Sequence, residues 1–130
     1  MGLEERRKIK ELEDDVLPGR VSEIEEICGA AIPYDVDWAS FDGDLEGLNF
    51  MDNISCHRLN MALRVICSDD MGKEAVRDTV KTIRLRNVKS KDDKSLSFDG
   101  GTLEMACAYA AGLDGAFSDN EIRTELLNHL

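Results

Sequence analysis

The sequence predicts an α+β fold, with helices packed on one face of a small, mainly antiparallel sheet. Residues 32–38 and 95–109 alternate apolar and polar side chains, a period of two that sorts one set onto one sheet face. Residues 3–17, 54–67 and 71–82 space their apolar residues three and four apart, the period of an amphipathic helix. These segments follow one another in the order α-α-β-α-α-β-β-β-α, within the length of a single domain.

Residues 3–17 are rich in Glu, Arg and Lys, which favour helix. Their apolar stripe is narrow, with Ile9, Leu12 and Val16 at three-then-four spacing, closer to a coiled-coil seam than to a core face. Residues 1–17 are therefore expected as a helical arm that projects or forms a homodimer, and residues 18–130 as the α+β body. Pro18 either splits or kinks the helix, since it lacks an N–H and crowds the preceding turn. Val21, Ile24, Ile27 and Cys28 continue a helical stripe, and Gly29 suits the residue just past the helix end.

In residues 32–38, Ile32, Tyr34, Val36 and Trp38 share one face, with Asp35 and Asp37 on the other. Pro33 assigns this strand to an edge or to its own first residues. Residues 40–53 read as a short helix, and Asn53 as the N-cap of the stronger helix 54–67. Cys56, Leu59, Asn60, Leu63, Ile66 and Cys67 fall near one face of that helix. Ser68, Asp69 and Asp70 break it and cap the next, with Ala75, Val76 and Val80 inward.

Ile83, Leu85 and Val88 form a strand, with Arg84 and Arg86 outward. After the polar loop 89–94, Leu96 and Phe98 alternate with polar residues. Asp99-Gly100-Gly101 then makes a hairpin turn, and Leu103, Met105, Cys107 and Tyr109 continue on one parity. Three consecutive strands imply an antiparallel meander. Ser118 with Glu121 makes a capping box for a last helix carrying Ile122, Leu126, Leu127 and Leu130.

Acidic residues number 27 against 16 Lys and Arg, a formal net charge of −11. Such a surface repels phosphate backbones and anionic lipid, so neither nucleic acid nor membrane is an expected partner. A basic protein partner would be steered in. No run approaches the roughly 20 apolar residues of a spanning helix, and residues 1–15 lack the apolar stretch of a secretory leader. The expected compartment is the cytoplasm. There Cys28, Cys56, Cys67 and Cys107 stay reduced, each at a position that suits the core.

Candidate chemistry falls in three places. Asp35 and Asp37 lie roughly 6.5–7 Å apart along the strand face, followed by Asp42 and Asp44, with Trp38 as an aromatic anchor for a partner. His57, Arg58 and Arg64 would stand at the mouth of a site between the sheet and helix 54–67. Residues 112–121 have the spacing of the second half of a calcium loop, with Asp114, Ser118 and Glu121 as candidate ligands. Ala110 and Gly112 occupy the places of the first two acidic ligands. No nucleophile–base pair, zinc spacing or phosphate loop occurs, so no catalytic residue and no cofactor is expected.

Three functional expectations follow. The first is a non-enzymatic protein-interaction module, an adaptor or an immunity-like inhibitor of a basic partner. The second is a small enzyme or ligand-binding domain with its site beside helix 54–67. The third is divalent-metal binding at turn 112–121.

Overall fold

The computed structural model describes residues 1–130. It has the expected α+β class and, broadly, the expected order of elements. Helices α1 (Leu3–Glu11) and α2 (Leu17–Cys28) form one rod, joined by a π-helical turn over Leu12–Val16. Pro18 explains that turn. It donates no N–H and its ring crowds the carbonyl four residues back, so the helix widens just ahead of it and the Leu17 N–H bonds Leu12 O. Gly29 ends α2 at φ 83°, a left-handed conformation that glycine adopts at no steric cost.

The N-terminal helix does not project. Leu12 is wholly buried, and Ile9 and Val16 pack against the same core. Helix α1 lies on α3 (Leu45–Met51), with the Glu5 carboxylate accepting from the Gly43 N–H at 3.2 Å and the N-terminal ammonium 3.3 Å from Asp42. The stripe that reads as a dimer seam is covered by the chain's own body. A narrow stripe in a sequence records that something covers it, not what does.

Helix α3 runs through a second π-helical turn, Asp52–Cys56, into α4 (His57–Ile66). Asn53 therefore lies inside a continuous helix and is not a cap. Asp44 is the cap, its carboxylate accepting from the Gly47 N–H at 2.8 Å. Arg20 reaches across from α2 and grips Asp52 with two bonds, 2.8 and 3.0 Å, fixing one rod against the other. After α4, Asp69 caps α5 (Asp70–Thr79) in the same way.

The sheet has the order β1-β2-β4-β3, with β1 Tyr34–Val36, β2 Thr82–Asn87, β3 Ser95–Asp99 and β4 Thr102–Cys107. The hairpin is antiparallel as expected, with Leu96 opposite Met105 and Phe98 opposite Leu103. The meander is not formed. β4 inserts between β3 and β2, so β2 pairs with it in parallel, and β1 pairs with β2 in parallel. Burial explains the order. β4 carries Leu103, Met105, Ala106 and Cys107, all buried, and takes an interior slot. β3, polar at every second position and only half-buried at the others, takes an edge.

Ile83, Leu85, Leu103 and Met105 face the helices and join one core with Ile24, Leu48, Leu59 and Leu63. The opposite face carries charge in register: Asp35, Arg84 and Glu104 lie side by side, and Arg84 donates to Asp35 at 2.7 Å and forms an ion pair with Glu104 at 3.5 Å. Helix α6 (Asp119–Leu127) closes the fold.

Candidate binding groove

Strand β1 is an edge strand, and only three residues long. Alternation was expected to continue to Trp38, but the chain turns at Asp37 into a 3-10 turn, Trp38–Phe41, closed by the Ser40 hydroxyl donating to Asp37 O at 2.6 Å. Trp38 is half-buried and packs on Phe41 at 6.2 Å between ring centres. Phe41 in turn stacks on Tyr109 at 5.6 Å.

Between this edge and the start of α2 runs an open groove of about 570 Å³. Leu17, Pro18 and Val21 form its helical wall, and Pro33, Val36 and Trp38 the strand wall, with Tyr34 between. Glu13 and Asp35 are its charged lining residues, Asp35 held by Arg84 at 2.7 Å, and no lysine or arginine lines it. The volume falls in the range of ordinary binding sites, roughly 300–1,000 Å³. The Tyr34 hydroxyl reaches inward, where it is buried beside the Cys56 thiol. Burial raises its pKa well above the usual tyrosine value, so it stays a neutral phenol.

The sequence-predicted site residues scatter from here. Asp35 and Trp38 line the groove, and Asp37 follows β1 at its end. Asp42 pairs with the N-terminus, and Asp44 is occupied as a helix cap and as acceptor for the Asn87 amide at 3.0 Å. Arg58 donates to Phe117 O at 2.8 Å, and Arg64 lies 3.8 Å from Glu23. His57 is half-buried on the same helix. These three do not frame an opening: the second cavity, about 220 Å³, lies between Glu4, Arg7, Lys8 and Glu11 on α1 and Leu45 and Asn49 on α3.

The turn 112–121 also serves the fold. The Ser118 hydroxyl accepts from the Glu121 N–H, and the Glu121 carboxylate accepts from the Ser118 N–H, both at 3.1 Å. Both side chains take part in the capping box. Asp114 lies in the preceding 3-10 segment, and no three carboxylate, histidine or cysteine groups gather where they could hold an ion.

The four cysteines are buried thiols. Burial pushes the Cys56 thiol up to about 12, so it is protonated at neutral pH and is no nucleophile. The groove residues that sequence reasoning missed are Glu13, Leu17, Pro18, Val21, Pro33, Tyr34 and Val36.

No protein-family model matches this chain, and comparison with curated proteins and with solved structures finds no match. No helix is long and apolar enough to cross a membrane.

Proposed function

We propose that this protein is a non-enzymatic interaction module that holds a basic partner protein in the groove between α2 and β1. One observation carries the reading: an apolar trough lined by Glu13 and Asp35 and by no lysine or arginine, in a chain of net charge −11, with Asp35 paired to Arg84 behind it and Glu13 in no ion pair. Apolar walls supply burial, at about 25 cal/mol per Å² removed from water. The acids supply steering and discrimination. An adaptor and an inhibitor that masks a basic surface would both use such a groove.

Trp38 is the only tryptophan and lines the groove, so its fluorescence reports occupancy. Titration with a short cationic peptide at low salt is expected to shift Trp38 emission. The apparent affinity should fall steeply as salt screens the rim, and Glu13→Lys should weaken it. An emission that ignores the peptide at low salt, or an affinity indifferent to salt, overturns the reading.

A further inference from the structure

Resting on that reading, we infer that the occupant of the groove is an extended basic segment whose backbone pairs with the free edge of β1 as an added strand. The ladder between β1 and β2 assigns which backbone groups are already used. Pro33 O accepts from the Ile83 N–H at 3.0 Å and the Asp37 N–H donates to Leu85 O at 2.9 Å, with Tyr34 opposite Ile83 and Val36 opposite Leu85. In a parallel ladder, backbone groups alternate sides along the strand. The odd positions 33, 35 and 37 therefore face β2. The N–H and C=O of Tyr34 and of Val36 face the groove, and neither residue's backbone bonds a loop, turn or side chain elsewhere in the fold.

An edge of this kind is a template for another strand. Folded proteins usually blunt such edges with lysine, proline or covering structure. Here the proline is at an odd position, so its missing N–H falls on the β2 side and leaves the outer side intact. No lysine guards the edge, and the facing wall of Leu17, Pro18 and Val21 stands off to leave the groove open. A strand seated there gains main-chain bonds to Tyr34 and Val36. Its alternate side chains divide between the apolar wall and the opposite sheet face, where Asp35 is already held by Arg84 at 2.7 Å. The net charge of −11, with Glu13 on the groove, selects lysine or arginine at the positions left toward solvent.

The test uses the full chain, isotope-labelled, and two synthetic peptides. One alternates lysine and valine. The other keeps the same side chains and charge but carries N-methyl groups on alternate backbone amides, prepared in both registers. The lysine–valine peptide is expected to shift Trp38 emission and to slow hydrogen exchange at the Tyr34 and Val36 amides by at least about tenfold. At least one N-methyl register should bind about tenfold more weakly, the effect of about 1.4 kcal/mol. Val36→Pro removes an outward N–H without touching the β2 ladder and should weaken binding likewise. If that variant does not fold, the N-methyl peptides decide alone.

If Trp38 responds but both N-methyl peptides bind equally well and the two amides exchange as before, strand addition is overturned while the groove reading survives. If the lysine–valine peptide leaves Trp38 unmoved at low salt, both fall. If the same amides become protected without peptide as protein concentration rises, the occupant is a second copy of this chain, and the basic partner is overturned.

Discussion

The sulfur atoms of Cys28 and Cys67 lie 2.9 Å apart, the first at the end of α2 and the second just past α4. Both side chains are buried, at 0% and 4% exposure, and desolvation raises both thiol pKa values, so neither is a thiolate at neutral pH. The contact joins two helices that the chain brings together from 39 residues apart.

This pair should oxidise to a disulfide under an azo oxidant such as diamide once the pH is raised enough to form some thiolate. Each thiol gives up one hydrogen, and the two protons and two electrons reduce the azo bond to a hydrazine. Mapping of alkylated peptides should then show Cys28 and Cys67 protected together and Cys56 and Cys107 still free. Closing a loop of that size stabilises by up to about 4 kcal/mol on the chain-entropy view, so the melting temperature should rise. Alkylation of Cys28 and Cys67 in the denatured chain after oxidant treatment would refute the pairing.

Stability should fall in alkali. Burial raises the pKa of Cys28, Cys56, Cys67 and Cys107, and of Tyr34 and Tyr109. A group whose folded pKa is raised keeps its proton in the native state after the unfolded chain has released it. Its contribution is complete below the unfolded value and is lost as pH rises toward the folded one. For Cys56 that window runs from 9.0 to about 12. Melting temperatures should therefore decline progressively above pH 9.0, and Cys56→Ala should make the decline shallower. A flat profile through that range would contradict this account.

Two glycines in helices should respond oppositely to alanine. A Cβ at Gly72 would press into the backbone carbonyl of Ile66, which cannot swing aside as a side chain can. Gly72→Ala should cost about 1–3 kcal/mol, as overpacking does. Gly19 in α2 has nothing within 4 Å of its would-be Cβ. Gly19→Ala should instead stabilise by about 0.5–1 kcal/mol, because glycine is the poorer helix former. Urea unfolding of the two variants beside the parent reads both signs in one experiment.

Local periodicity made much of this protein legible without its structure. Leu103, Met105 and Cys107 share the parity that the hairpin demands, and all three are buried; Tyr109, expected on the same strand, is buried too but opens the 3-10 segment that follows it. Gly29 and the Ser118–Glu121 box end and begin helices as their chemistry requires. Each of these rests on residues within a few positions of one another, so a window on the chain contains the whole cause.

The remainder depends on contacts between distant segments. β4 displaced the expected neighbour of β2 because its buried face needed an interior slot, a competition among strands that no single strand records. Leu12 became core, and the N-terminal helix lost its expected free seam, because α3 lies across it. The groove is made of Leu17 to Val21 and Pro33 to Trp38, brought face to face only when α2 and β1 pack. The sequence by itself determined the helices, the hairpin and the parity of the core. The lateral order of strands and the place of the candidate site were decided by which surfaces remained to be covered once those elements met.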